Sequence, residues 1–161
     1  MSDDAILVRP ARAGDLARLA ELWKELVEYH LAIDDFFQSV PDGHLNYLQF
    51  LSRYLNEKNG VVMVAEVNGK VIGFCLARLA DTPPPMQSRA CGEILDAVVA
   101  VDYRRQGIGE QLIAAVKQWF TVRDVTRLHV NVMSHNPIGV AFWRKMGFGP
   151  FEEKLVWREG D

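Results

Sequence analysis

The stretch Val99-Ala100-Val101-Asp102-Tyr103-Arg104-Arg105-Gln106-Gly107-Ile108-Gly109 decides how the rest of this chain is read. A β-rich run at 93–101 leads into it, and a helix carrying Leu112, Ile113, Val116 and Phe120 at three- and four-residue steps leads out. A strand that turns through glycines into a helix is an anion site, because backbone N–H groups and the positive end of the helix dipole converge there. Gly107 and Gly109 remove side chains where a ligand presses against the backbone, and Arg104 and Arg105 add fixed positive charge. The residues after the glycines narrow the choice of ligand. Glu110 and Gln111 stand where a Walker loop carries its lysine and Ser/Thr, and Leu112 fills the third glycine position of a dinucleotide fingerprint. ATP, GTP and NAD are therefore poor fits.

Upstream, the runs 61–65 and 71–76 flank Asn68-Gly69, the strongest short-range hairpin signal. The opening 6–10 reads as a strand stopped by Pro10, and Gly14-Asp15 as the cap of a helix whose apolar stripe is Leu16, Leu19, Trp23, Leu26, Val27 and His30. Asp34-Asp35 and Pro41-Asp42-Gly43 interrupt that pattern, and Leu45, Leu48, Leu51 and Leu55 predict a second helix. Thr82-Pro83-Pro84-Pro85 cannot enter a ladder and predicts an exposed loop. Downstream, 128–133 reads as a strand, 136–146 as a helix closed by Gly147, and 154–158 as a last strand. The order strand, helix, helix, three strands, helix, strand, helix, strand predicts a mixed sheet flanked by helices, an α/β or α+β fold.

Composition sets the outer bounds. A chain of 161 residues, 49% hydrophobic and 24% charged, is expected to form a single domain, 1–161, with one core. No apolar run approaches the roughly 18 residues that span a bilayer, and the acidic Met-Ser-Asp-Asp start lacks the features of a secretory signal. A cytoplasmic protein with no membrane partner is expected. Cys75 and Cys91 make neither a disulfide framework nor a metal spacing, so no metal is expected. The charge is uneven: residues 1–60 hold 6 Lys/Arg against 10 Asp/Glu, whereas residues 101–150 hold 7 against 3. The basic part suits phosphates and the acidic part suits a cation. A pI near 5.8 and the lack of a basic surface interleaved with aromatics argue against nucleic acid.

The stretch 99–109 closely resembles the acetyl-coenzyme A signature of the GNAT superfamily of N-acetyltransferases. The opening 6–11 with Asp15-Leu16, and Asn136 followed by Ala141-Phe142-Trp143-Arg144-Lys145-Met146-Gly147-Phe148, resemble further motifs of that superfamily, in the right order. The resemblance implies a splayed, mostly antiparallel mixed sheet with helices on both faces, whose fourth and fifth strands part to admit the pantetheine arm. It implies acetyl transfer from acetyl-CoA to a primary amine of a small molecule or peptide by direct attack. Backbone groups of Val99 and Val101 would pair with the arm, and the N–H groups of Arg104, Arg105, Gln106, Gly107, Ile108 and Gly109 would hold the pyrophosphate. Val99 N–H is the expected donor to the developing oxyanion. Asn136 would bond the arm, its other reading being a helix cap. Trp143, also expected beside the cofactor, stands where many relatives carry an acidic tyrosine, and an indole has no such proton to give.

A base for the acceptor amine is expected near the splay. Glu93, six residues before Val99 and on the same strand face by parity, is the first candidate. Asp96, by the same parity on the other face, must be paired or functional because it interrupts an apolar run. Tyr29, His30 and Asp34 lie where the superfamily builds its acceptor pocket, and their carboxylate and aromatic neighbours suit a cationic amine. A homodimer is admitted. The competing reading is an acyl-CoA-binding sensor that lost efficient chemistry, with Trp143 as its motive.

Overall fold

Asn68 and Gly69 both take left-handed φ angles, 50° and 78°, and this two-residue turn folds β2 (Gly60–Val67) back on β3 (Lys70–Ala80). The hairpin is the centre of a five-stranded sheet in a computed structural model that describes residues 5–83, 85–87 and 89–160. Met1 to Asp4, which gave the acidic start, and Pro84 of the proline loop lie outside the described residues. The sheet order is β1-β2-β3-β4-β5, with β1 (Leu7–Pro10) to β4 (Cys91–Val99) antiparallel and β5 (Leu128–Val130) parallel to β4. This is the mixed α/β architecture expected.

Helices α1 (Leu16–Leu31) and α2 (Gly43–Tyr54) cover one face of the sheet. Leu19, Leu22, Tyr47 and Leu51 pack there with Val62, Val64, Phe74, Leu76 and Val98. Helix α3 (Ile108–Thr121) covers the other face: a Cβ at Gly92 would meet the Phe120 ring at 2.6 Å, and one at Gly73 would touch Leu112 at 3.4 Å. Residues up to Asn131 form one compact unit holding the sheet and α1 to α3, and Val132–Asp161 forms a second, built on α4 (Pro137–Lys145).

Several expected boundaries move. In α2 the buried stripe is Gly43, Tyr47 and Leu51, and Leu45 is 51% exposed. The leucine spacing predicts a different phase because it cannot see that Tyr47 has the Asp96 carboxyl beneath it as a hydrogen-bond partner. β4 ends at Val99, and Val101 begins a 3-10 turn, Val101–Tyr103, instead of continuing the strand. β5 stops at Val130, not 133, because its pairing with β4 ends at Ile94. The run 154–158 forms no strand: Leu155, Val156 and Trp157 are 82%, 74% and 83% exposed, and a strand needs a ladder partner.

Arg9 ties the first strand to its surroundings. Its guanidinium donates to Asp15 at 2.8 and 3.0 Å and to Glu66 at 3.0 and 2.7 Å. The Arg9 hydrogen bonds, with one from the Arg12 N–H at 2.7 Å, hold the Asp15 carboxyl below its ordinary value of 3.8. The stability from this lowered group is present above that ordinary value and is lost as pH falls through the lowered one. Urea unfolding between about pH 7 and pH 3 should show a flatter acid decline in Asp15→Asn than in the wild type.

Candidate active site

Two hydrogen bonds locate an irregularity in β4. Gly92 N–H donates to the Arg127 carbonyl on the β5 side at 2.8 Å, whereas Ala100 N–H donates to the Ile72 carbonyl on β3, also at 2.8 Å. Residues eight apart in a regular strand would donate to the same side. The reversal occurs at Leu95, which is an extra residue: Leu76 pairs with Asp96 and Ala77 with Ile94. Such a bulge twists the strand and disrupts its ladder. β5 pairs only with Gly92, Glu93 and Ile94. Beyond the bulge β4 therefore has an edge that β5 does not cover, and at Val99 both N–H and C=O lie along it. The Val99 carbonyl accepts from Arg104 Nε at 3.0 Å on that side.

The open edge runs straight into the turn. Arg105 and Gly107 have left-handed φ angles of 64° and 77°, and single left-handed residues of this kind make concavities of converging N–H groups. Nothing lies within 4 Å of where a Gly107 Cβ would stand, which is a backbone open to a ligand. Ile108 and Gly109 are the first residues of α3, ahead of its first internal bond, Gln111 N–H to the Gly107 carbonyl at 3.2 Å. An edge offering peptide donors and acceptors, continued by an anion cradle, suits an extended ligand with amides in its arm and phosphate at its end.

The last turns of α1 flank this edge. Glu25 accepts from Val101 N–H at 3.4 Å, and the Arg104 guanidinium lies 6.0 Å above the Tyr29 ring. Beneath them, the Tyr47 hydroxyl donates to Asp96 Oδ2 at 2.8 Å, and the Tyr47 ring stacks on Trp23 at 4.7 Å. Burial pushes the Asp96 carboxyl up, opposed by the Tyr47 bond and by the charge of His30. Burial pushes the His30 imidazole down, opposed by Asp96. The two groups thus act on one another across the sheet face. His30 also meets Tyr29 at 5.9 Å and Phe37 at 5.6 Å, and Phe37 meets the exposed Phe36 edge-on at 5.5 Å. Asp34 Oδ1 accepts from Phe36 N–H at 3.0 Å and so holds the turn that carries these rings.

The bulge alters the expected relations within β4. Glu93 pairs across to Arg78 and Asp96 to Leu76, two residues apart on β3, so the two carboxylates share the α1/α2 face instead of opposing one another. Val99 pairs with Gly73 on the α3 face, so Glu93 and Val99 do not share a face. Parity counting fails because Leu95 adds one residue. Arg78 Nε and Nη2 both donate to Glu93 Oε2, at 3.0 and 2.8 Å. Val101, expected to pair with the arm, lies in the 3-10 turn after β4, and its N–H donates to Glu25 Oε2 at 3.4 Å. In the second unit, Asn136 is 6% exposed and caps α4, its Oδ1 accepting from Gly139 N–H at 3.0 Å, and Trp143 packs edge-on against Phe142 and Phe148. Sequence reasoning misses Tyr47, Trp23, Glu25 and Arg78 as parts of the site. The one signal for Tyr47 was Asp96 itself, a carboxylate in an apolar run that requires a partner.

Among the described residues no helix is long and apolar enough to cross a membrane. The chain is 27% identical over 118 residues to an N-alpha-acetyltransferase of Sulfurisphaera tokodaii, covering 68% of each. It superposes on the crystal structure of a mutant of the BH1408 protein from Bacillus halodurans with a TM-score of 0.87, 21% identity and coverage of 94% and 98%. It also superposes on the aminoglycoside N-acetyltransferase AAC(6')-Iy in complex with CoA, with a TM-score of 0.76, 22% identity and coverage of 98% and 97%. These likenesses agree on the fold. The sequence profile of the acetyltransferase (GNAT) family matches residues 23–148, a span that takes in the bulged strand, the cradle, the end of α1 and α4, and the chain belongs to that family.

Proposed function

We propose that this chain transfers the acetyl group of acetyl-CoA to a primary amine, with the open edge of β4 and the turn after it as the cofactor's seat. The supporting observation is the continuity of that edge, from Val99 to the left-handed turn at Arg105 and Gly107 and the start of α3. The bound thioester supplies an activated acetyl group. Val99 C=O aligns the arm, and Val99 N–H is the donor for the thioester's carbonyl oxygen, a dipole set in place before reaction. The N–H groups from Arg104 to Gly109 take the pyrophosphate. Asn136 and Trp143 enter this reading through the family motif. The family match crosses both compact units, and we treat them as parts of one acetyltransferase. Cys75 and Cys91 are both free and buried, which suits a cytoplasmic location. A second copy of the chain is included as a partner, supported by the exposed Leu155, Val156 and Trp157.

The acceptor in this reading is a cationic amine held by Tyr29, His30 and Asp34. The rings at Tyr29, Phe36 and Phe37 offer faces to a cation, and residues 1–60 carry 10 Asp/Glu against 6 Lys/Arg.

Two measurements test the reading. Calorimetric titration with acetyl-CoA should show binding that is lost in Gly107→Val, where a β-branched side chain enters the cradle and opposes a φ of 77°. Circular dichroism should still show a folded protein, and unchanged affinity in that variant would move the pyrophosphate elsewhere. For the acceptor, Asp34→Asn with Asp35→Asn should raise the amine's KM and flatten its dependence on salt through the screening range, with the acetyl-CoA constant unchanged. Asparagine still caps the Phe36 turn. An unaltered KM and salt slope would remove the acidic segment from acceptor binding.

A further inference from the structure

Transfer to an amine needs a base, and the bulge redistributes the candidates. Glu93 lies in the part of β4 still zipped to β5, with one oxygen taking both Arg78 donors. Asp96 lies past the bulge, but Tyr47 holds its Oδ2 at 2.8 Å from beneath. His30 is half-exposed on the same face, within reach of Asp96's charge, beside the exposed Phe36 and Phe37. Its neighbour Tyr29 lies under Arg104, which in turn donates to the Val99 carbonyl. One helix end thus joins the acceptor loop to the open edge of β4.

We propose that His30 takes the proton of the acceptor ammonium, with the Asp96 carboxylate, held by the Tyr47 hydroxyl, as the charge that favours its imidazolium. This rests on the proposed acetyltransferase activity and replaces Glu93 as the base. The ammonium gives one proton to an imidazole nitrogen. The freed lone pair bonds to the acetyl carbon, and the carbon–sulfur bond breaks with its electrons going to sulfur. The second amine proton passes through water to the thiolate, and His30 returns its own proton to solvent. Burial keeps His30 neutral at physiological pH and therefore able to accept, while the Asp96 carboxylate favours the imidazolium once formed. The other titratable or charged groups around the pair are Tyr47 from α2, Cys75 from β3, Tyr29 on α1 with Arg104 over its ring, and Asp34 and Asp35 in the turn after α1. Tyr47 and Cys75 are both pushed up and stay neutral.

Two readouts carry the test. Histidine side-chain NMR on the full chain, without acetyl-CoA, should show His30 titrating below 6.5. Asp96→Asn should move that midpoint lower, because it removes the charge that favours the imidazolium. In steady-state CoA release with a panel of primary amines, His30→Gln should lower kcat by roughly 10² to 10⁴ and abolish the acidic limb of its pH profile, with acetyl-CoA affinity intact. Asp96→Asn should shift that limb to lower pH, whereas Glu93→Gln should leave the limb where it is. Wild-type turnover with an unchanged limb in His30→Gln overturns the proposal. So does a His30 midpoint that ignores Asp96→Asn, a result that remains decisive if His30→Gln fails to fold. A wild type that binds acetyl-CoA but acetylates no amine would instead overturn the acetyltransferase reading, and this assignment with it.

Discussion

The extra residue at Leu95 is the constraint on which the site depends. A strand with perfect alternation would have kept the N–H and C=O of even-numbered residues on the β5 side throughout. With one residue inserted, the donors of β4 exchange sides: those before the bulge serve β5, and from Ala97 on the odd-numbered groups point where β5 no longer runs. The same insertion turns Asp96 toward α1 and α2 and Val99 toward α3. One local irregularity thereby separates the open strand edge in the plane of the sheet from the Tyr47–Asp96 pair on one face.

The second dependence is electrostatic. A carboxylate under two helices is unfavourable unless something bonds it, and Asp96 is held by the Tyr47 hydroxyl, which is itself fixed by stacking on Trp23. That requirement sets the rotation of α2, since turning Tyr47 inward leaves Leu45 in solvent. Glu93, three residues away on the same face, has a different fate because Arg78 stands opposite it. Two carboxylates of one strand are thus given unlike surroundings by their cross-strand and overlying neighbours, and this difference favours the buried one as the partner of His30.

Local features were legible in the sequence because they rest on local chemistry. Asn68-Gly69 closes a hairpin because both residues tolerate positive φ. The 99–109 stretch makes a cradle because glycine and a helix start dictate where N–H groups point. The stripe of α3 is buried as its spacing requires, and the family is legible from motifs in order. Tertiary structure decided the rest. The bulge is a mismatch between two strands, and no residue in 91–99 announces it. The partners Tyr47 and Asp96 lie 49 residues apart, and Arg78 and Glu93 lie 15 apart across a loop. The run 154–158 shows the same division: its composition suits a strand, yet no ladder partner among the described residues completes one. Sequence by itself determined most of the elements, the glycine-containing turn at the start of α3 and the family, because those depend on near neighbours and backbone preference. Only the fold decided which face each carboxylate takes and which partner holds it, because pairing register and burial belong to residues far apart in the chain.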